Sequence, residues 1–305
     1  MATHLVTGAF GFTGSRIAER LLAAGHRVRT LSRRTGTGHA LAGRVEPVGY
    51  DFSAGALHDV LRGVDTLYVT YWMRFPGGGT EWVEVVSHVR ALAQAAARAR
   101  VRRIVYISVS NAGHDAPTAY FRAKAQAEDG VRQQATSYAI VRPTLLYGEA
   151  DILINNMAWT LRRLPVFGVP GDGRYRVQPV YVEDVADLCL WVAEGKEPIE
   201  IDACGPETFA FDDLVRLVGQ AVGRNPRLIH LPPAVVLATT RLIGLLVRDV
   251  VLTRDELREL MAGLLVSRAR PTCPTRFSEW IERRGAQVGR RYASELARNF
   301  SFERG

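Results

Sequence analysis

The sequence predicts an α/β protein with a doubly wound parallel sheet, and three observations carry that prediction. A short apolar run that begins near residue 4 ends in a glycine-rich turn and leads into an amphipathic helix that reaches residue 24. Strand-like and helix-like segments then alternate as far as residue 107, which is typical of a parallel sheet covered by helices. The chain has 305 residues, 47% of them hydrophobic and 23% charged, so it can bury a large core.

The glycine-rich turn predicts a dinucleotide site. Its glycines are spaced G-x-x-G-x-x-G at the end of the first predicted strand. Glycine allows a tight turn and a close approach of the backbone to a pyrophosphate, and the N–H groups that open the following helix attract anions. An ordinary strand–helix turn is the alternative. We assign five residues of the turn to the cofactor: Gly8, Phe10, Gly11, Phe12 and Gly14.

The end of the second predicted strand, residues 28–32, favours NADP over NAD. An acidic residue at this place would accept hydrogen bonds from the ribose hydroxyls of NAD, but none occurs between Glu19 and Glu46. Two arginines follow the strand instead, and guanidinium groups suit a 2′-phosphate. A solvated loop is the alternative reading of the arginines. The residues assigned to this part of the cofactor site are Ser32, Arg33 and Arg34.

Further elements follow in order in the first half of the chain. Asp51 and Phe52 come after the third strand and are assigned to the cofactor. Trp72 and Met73 come after the fourth strand and are assigned to the substrate. The elements predicted here are strands at 44–50, 65–71 and 104–107, and helices at 57–61 and 82–99.

Tyr120 and Lys124 form the strongest chemical signal. They open a helix after the fifth strand, and a spacing of four puts them on one helix face. An ammonium beside a phenol lowers the phenol pKa, so that the phenol can exchange a proton with a substrate oxygen. A serine from the preceding segment, 108–113, could hold the same oxygen. The chain has only two lysines, yet it keeps one here; the fork of arginine fits poorly beneath a ribose.

These motifs resemble those of the short-chain dehydrogenase/reductase superfamily. The similarity rests on Gly8-x-x-Gly11-x-x-Gly14, on the serine with Tyr120-x-x-x-Lys124, and on segment 141–148, VRPTLLYG. Segments 180–186 and 289–292 are similar to the family's return to the core and to its closing helix. The resemblance is narrower to the extended and atypical NAD(P)-dependent epimerase/dehydratase-like group.

The resemblance implies a Rossmann core and named site roles. The core would span 1–150 with a return at 176–203, and a smaller, mainly helical substrate-binding part would comprise 151–175 and 204–305. Tyr120 would be the general acid/base, Lys124 would bind the nicotinamide ribose, and Pro143 would contact the nicotinamide end. The catalytic serine matches Ser110 better than Ser108, because it is the last hydroxyl of the Ser-x-Ser run.

The second half of the chain is predicted to cover the substrate. A helix at 151–164 would lie over it, with Asn155 as a substrate residue, and Tyr147 is assigned to the substrate as well. Residues 234–265 are Leu- and Val-rich and are predicted to be helical core, with a lid over a hydrophobic substrate as the alternative. Other predicted elements are strands at 178–182 and 199–203 and helices at 184–192 and 211–222.

Composition excludes several classes of protein. The net charge is +8, but the basic residues form no aromatic-interleaved patch, so an anionic cofactor explains the charge better than nucleic acid does. Cys189, Cys204 and Cys273 lack metal spacing and are predicted to be buried thiols in a reducing compartment, with no metal. No window has 18 uncharged apolar residues, and no signal peptide precedes the first strand. We therefore expect a cytoplasmic protein without stable membrane insertion; interfacial attachment through 234–247 is the alternative.

The predicted function is that of an NADP(H)-dependent oxidoreductase. It would transfer a hydride between nicotinamide and a carbonyl or alcohol of a small, apolar substrate. One alternative is an epimerase or dehydratase that retains its nicotinamide; another is a non-catalytic NADP(H)-binding sensor or assembly protein. The oligomeric state stays open, with a homodimer as one option.

Overall fold

The bounds of the elements come from a computed structural model, which describes residues 1–32, 36, 38–49, 51–77, 79–135 and 137–299. The strands are β1 (Thr3–Val6), β2 (Arg27–Leu31), β3 (Glu46–Val48), β4 (Thr66–Val69), β5 (Arg103–Ile107), β6 (Tyr138–Pro143), β7 (Leu145–Tyr147), β8 (Val166–Pro170), β9 (Arg176–Val177), β10 (Pro179–Tyr181), β11 (Ile199–Ala203), β12 (Phe209–Ala210) and β13 (Arg227–Leu231). The helices are α1 (Phe12–Ala23), α2 (Ala54–Leu61), α3 (Trp82–Arg98), α4 (Ala119–Gln134), α5 (Leu153–Arg163), α6 (Val182–Glu194), α7 (Phe211–Ala221), α8 (Pro233–Val247), α9 (Arg254–Met261), α10 (Phe277–Arg284) and α11 (Glu295–Asn299).

Among the described residues, seven parallel strands form one sheet in the order β11-β6-β5-β4-β1-β2-β3. Every residue of β4 and β5 is buried, as expected for parallel strands covered on both faces. The strand order reverses direction between β1 and β4, and ligands of such sheets bind outside the carboxyl ends at this point. The doubly wound parallel sheet predicted from the sequence is confirmed.

The chain divides into two compact units. The first contains Met1–Pro143 and Val182–Ala203 and holds the seven-stranded sheet. The second contains Thr144–Tyr181 and the described residues of Cys204–Glu303. Its described strands pair as β7 with β10, β8 with β13 and β9 with β12. The helices α5 and α7–α11 accompany these short sheets, and the unit has its own apolar core.

An ion-pair network around the buried Glu128 fixes helix α4 to the sheet. The Glu128 side chain is only 2% exposed and accepts hydrogen bonds from Arg142 on β6 at 2.8 and 2.7 Å and from Arg132 at 2.8 Å. Both arginines also bind Glu200 on β11, each at 2.6 Å. Bidentate pairs of this kind have a defined geometry. The network therefore sets the position of α4, which carries Tyr120 and Lys124.

The predicted helical core at 234–265 is wrong in two respects. Arg248 adopts a left-handed conformation with φ 53° and ends α8. A new helix, α9, begins at Arg254, and its N-cap Thr253 forms a capping box with Glu256. Helix α8 is also not core, because Leu245 is 76% and Leu246 85% exposed. In the part of the chain that the structure describes, no helix combines the length and apolarity needed to cross a membrane.

The segment similar to a closing helix is likewise not helical. Residues 289–291 form a turn and bend, Tyr292 is in irregular backbone, and the short helix α11 begins only at Glu295. Gly289 has a φ of +70°, and this left-handed conformation is incompatible with a continuous helix.

Candidate active site

The glycine turn has the geometry of an anion cradle. Gly8 has a φ of +69°, and the Gly11 N–H donates to the Gly8 carbonyl at 2.8 Å. A Cβ at Gly14 would collide with that same carbonyl, so only glycine lets α1 start this close to β1. Gly11 is the N-cap of α1 and brings no side-chain cap, and Phe12 begins the helix. The first N–H groups of α1 are therefore available to a pyrophosphate, and the turn fits a dinucleotide.

The neighbouring cofactor residues are only partly described. Phe10 is 7% exposed and packs with its ring 5.4 Å from that of His39. Ser32 follows β2 and is half-buried. Arg33 and Arg34, on which the preference for NADP rests, lie outside the described residues. Their cofactor role stays a prediction.

Asp51 and Phe52 lie between β3 and α2. Asp51 is exposed, and its Oδ1 accepts the N–H of Ser53 at 2.8 Å. Phe52 stacks on His88 with ring centres 3.8 Å apart, and His88 Nδ1 lies 3.1 Å from the Tyr71 hydroxyl. Both rings therefore contact Tyr71 in the segment that follows β4.

Thr7 connects the glycine turn to the chain that leaves β4. Its Oγ1 accepts the N–H groups of Thr70 and Tyr71, each at 2.9 Å, and its carbonyl accepts a hydrogen bond from the Thr70 hydroxyl. These bonds hold the start of the segment that carries Trp72 and Met73, both half-buried. The segment that carries the two predicted substrate residues therefore starts next to the glycine turn.

Lys124 is buried at the carboxyl end of β5. The residue is only 2% exposed, and its Nζ donates a hydrogen bond to the Ile107 carbonyl at 2.8 Å. Nζ also lies 4.0 Å from the centre of the Trp72 ring and 5.2 Å from that of Tyr106. Burial lowers the pKa of Lys124 well below its usual range, and the charge of Glu128 opposes that change. The carbonyl and the ring face favour the ammonium form.

Tyr120 meets the same indole. Its ring lies edge-on to Trp72 at 6.1 Å and to Trp82 at 5.5 Å, and the two indoles stack at 5.7 Å. The structure thus brings Trp72, Tyr120 and Lys124 together. Trp82, the first residue of α3, was not among the predicted site residues; an aromatic residue three positions after the glycine run at 77–79 was the available signal.

The two serines after β5 have different environments. Ser110 is fully buried, and its N–H donates to the carbonyl of Pro143, the last residue of β6, at 2.9 Å. Ser108 is 5% exposed, and its Oγ is buried without a hydrogen-bond partner among the described residues. The Thr118 hydroxyl, at the N-cap of α4, is in the same state. A buried hydroxyl without a hydrogen-bond partner is suited to donate a hydrogen bond to a substrate oxygen.

Tyr147 and Asn155 lie inside the second unit. The Tyr147 ring packs 4.9 Å from Phe277 and 5.0 Å from Trp280, and it is fully buried. The Asn155 amide donates to the Asp151 carbonyl at 3.0 Å and accepts the N–H of Gly289 at 3.2 Å. Both side chains thus serve the packing of this unit, and their assignment to the substrate stays a prediction.

The three cysteines are buried thiols, as predicted, and none of the three forms a disulfide. Within the described ranges, no group of three His, Cys, Asp or Glu side chains could hold a metal ion.

The parallel sheet, the glycine turn at its switch point and the Tyr–Lys helix define a dinucleotide-binding α/β protein. More narrowly, the chain belongs to a family of NAD(P)H-binding proteins, whose sequence profile matches residues 8–191. The resemblance that the motifs indicated is thereby confirmed.

Proteins that are similar to this chain have different activities in their names. The chain is 28% identical to ceramide reductase of Caulobacter vibrioides over 244 residues, which are 78% of this chain and 76% of that protein. It is 24% identical to the mitochondrial NADH-ubiquinone oxidoreductase 40 kDa subunit of Neurospora crassa over 77% of this chain and 64% of the subunit. In fold it is similar to UDP-N-acetylglucosamine 4-epimerase of Bacillus cereus, with a TM-score of 0.66, 17% identity, and coverage of 93% and 95% of the two chains.

Proposed function

We propose that the protein is an NADP(H)-dependent oxidoreductase that interconverts a carbonyl and an alcohol on a small apolar substrate. One observation carries the proposal. Lys124 is buried with its ammonium between the Ile107 carbonyl and the Trp72 ring, one helix turn after Tyr120. Burial of a charge is unfavourable, and such an arrangement is typical of sites with a chemical task.

The cofactor would lie along the carboxyl ends of β1, β4 and β5, which are neighbours in the sheet. The glycine turn would hold the pyrophosphate and Lys124 the nicotinamide ribose, with Pro143 near the nicotinamide. Ser32, Arg33 and Arg34 would bind the 2′-phosphate, and Asp51 and Phe52 would complete the cofactor site. Bound nicotinamide supplies or accepts the hydride.

Side chains of the protein would transfer the proton. The Tyr120 hydroxyl donates it to the substrate oxygen in the reductive direction, and the Lys124 ammonium stabilises the resulting phenolate. A serine hydroxyl holds the oxygen in place. We assign this role to Ser110, as the family resemblance implies, and name Ser108 as the rival because of its unpartnered hydroxyl.

An apolar substrate agrees with the walls of the site. Trp72, Trp82 and Tyr120 form one aromatic cluster, and Met73 follows Trp72 in the chain. The name of the relative ceramide reductase also refers to an apolar substrate. The substrate class that we propose is therefore a ketone or quinone with an apolar body.

A cofactor-consumption assay tests the proposal. NADPH oxidation is followed by absorbance with a panel of apolar ketones and quinones, and product is identified by mass spectrometry. Steady NADPH consumption with matching alcohol formation supports an oxidoreductase. Product formation without net consumption of NADPH would show an epimerase or dehydratase instead.

The similarity to the NADH-ubiquinone oxidoreductase 40 kDa subunit supports a second candidate, a non-catalytic nucleotide-binding protein. Tight NADPH binding without turnover of any substrate in the panel, together with purification in a stable complex, would favour that candidate.

A further inference from the structure

Helix α8 presents an apolar face to solvent. The exposed fractions are 64% for Leu242, 76% for Leu245, 85% for Leu246 and 44% for Val235. Together with the exposed Ala238, these residues follow the spacing i, i+3, i+7, i+10, i+11 and share one side of the helix. We call this set the α8 stripe. Exposed leucines at such density are unusual for a surface helix, which normally carries polar residues on its outer side.

The opposite side of α8 is already used in packing. Val236 is 6% exposed and Gly244 is buried. A Cβ at Gly244 would lie 2.6 Å from the Asp249 carbonyl oxygen, so the chain after the helix approaches it as closely as glycine allows.

Asp249 anchors the end of α8. Its N–H donates to the Gly244 carbonyl at 3.0 Å. Its carboxylate accepts hydrogen bonds from the Tyr292 hydroxyl at 3.0 Å and from the N–H groups of Glu295 and Leu296, each at 2.9 Å. A rotation of α8 about its axis that buried the stripe would break these hydrogen bonds. The contacts of Asp249 therefore keep the stripe exposed to solvent.

The helix of the stripe and its C-cap carry positive charge and no carboxylate. No Asp or Glu occurs from residue 214 to residue 248, and Arg241 and Arg248 are both exposed. At 100° per residue Arg241 falls on one flank of the stripe, and Arg248 lies at the carboxyl end of the helix as its C-cap. An apolar helix face bordered by cations matches a surface that has an apolar interior and anionic groups at its boundary.

We propose that the α8 stripe docks the protein on an anionic phospholipid surface, with the leucines in the acyl boundary and Arg241 and Arg248 at the phosphates. The helix has 15 residues, about 22 Å at 1.5 Å per residue, which is too short to span a bilayer but suffices to lie in its interface. A second copy of the chain fits less well, because α8 packed against α8 would bring arginines together with no carboxylate on the helix to neutralise them. This proposal does not depend on the proposed reductase chemistry.

The test is flotation of the full chain with vesicles. One set contains phosphatidylglycerol and phosphatidylcholine, and the other contains phosphatidylcholine alone. The variants are the double substitution Leu245→Asp/Leu246→Asp and the single substitution Arg241→Gln. Val83→Asp is the matched control, because Val83 is 80% exposed on α3, outside the stripe.

We expect wild type and Val83→Asp to bind the anionic vesicles, less tightly as salt increases. The double variant should lose roughly tenfold or more of the partition coefficient, because two apolar contacts are replaced by charges. Arg241→Gln should lose about threefold to fivefold on anionic vesicles and nothing on neutral ones.

Two results would overturn the proposal: no binding of wild type to anionic vesicles, or equal binding of wild type and the double variant. Wild type that does not bind vesicles but forms an oligomer in sedimentation, together with a monomeric double variant, would show that the stripe binds a second copy of the chain. Circular dichroism checks the fold; should the double variant be unfolded, Leu242→Gln replaces it in the same assay.

Discussion

The Nζ of Lys124 lies 4.0 Å from the centre of the Trp72 ring. The ammonium is thereby held against an aromatic face and the Ile107 carbonyl, in a place from which water is excluded. Tyr120 contacts the same indole with the edge of its ring. Trp72 therefore couples the predicted acid and the predicted ribose ligand to the segment that leaves β4.

Lys124→Met tests whether this buried charge serves function rather than stability. Methionine keeps the length of the side chain without the cost of burying a cation, so the melting temperature should be equal to or higher than that of wild type. NADPH affinity should fall by about 1.5–3 kcal/mol, the range for a hydrogen bond to a charged group. Calorimetry and a binding titration measure the two effects. Lys196→Met, at the chain's other and exposed lysine, is the control; a strongly destabilised Lys124→Met would argue for a structural lysine.

Tyr120→Phe removes the acidic hydroxyl and little else. Turnover of any substrate that wild type reduces should fall by about 10²–10⁴, as expected for the loss of one general acid, while NADPH affinity stays close to wild type. Steady-state kinetics and a binding titration provide the comparison. Tyr138→Phe, at the amino end of β6, should leave turnover unchanged. Full activity of Tyr120→Phe would mean that the proton comes from another group.

Alanine substitutions at Ser108 and Ser110 decide which hydroxyl holds the substrate oxygen. The one that does so should lose about 10² in kcat when replaced, comparable to the loss of one donor to a developing oxyanion. The other should keep turnover within a few fold. Equal, small effects of both substitutions would remove the serine from the mechanism and direct attention to Thr118, whose hydroxyl is also buried without a partner in the described part of the chain.

Arg33→Ala tests cofactor selectivity. Loss of a charge-assisted bond to the 2′-phosphate should weaken NADP(H) binding by about 1–3 kcal/mol and leave NAD(H) binding nearly unchanged. Both nucleotides are titrated at the same ionic strength, with the exposed Arg44→Ala as control. Tighter binding of NAD than of NADP by wild type would contradict the predicted preference.

Asp151→Asn tests a pH dependence of stability. Burial raises the pKa of Asp151 from 3.8 to about 7, against the opposing effect of the hydrogen bonds that it accepts, including one from the Ile154 N–H at 2.6 Å. Between these pH values the folded protein binds a proton that the unfolded chain releases, so this group's contribution falls as pH rises, by up to about 1.4 kcal/mol per pH unit. Urea unfolding at intervals from pH 4.5 to 7.5 should show a flatter profile for Asp151→Asn. Parallel profiles of the two proteins would mean that Asp151 is ionised throughout.

Local patterns in the sequence predicted the parallel sheet and the glycine turn. Buried parallel strands are continuous apolar runs, and the turn needs glycine at positions where a side chain would collide, as at Gly14. The pairing of Tyr120 with Lys124 is equally local, because a helix brings residues four apart to one face. These features depend on neighbours in the chain, so they are readable without the fold.

Other features depend on which elements meet. Trp82 reaches Tyr120 only because α3 and α4 lie side by side on the sheet, and the hydroxyl of Ser108 is left without a partner by the packing around β5. The sequence indicated burial for α8 because its composition is apolar, but burial requires a partner surface. Neighbouring residues are thus enough to specify the sheet, the glycine turn and the Tyr–Lys spacing. Local sequence cannot reveal that only one side of α8 is covered, because the available packing surface is a property of the whole second unit.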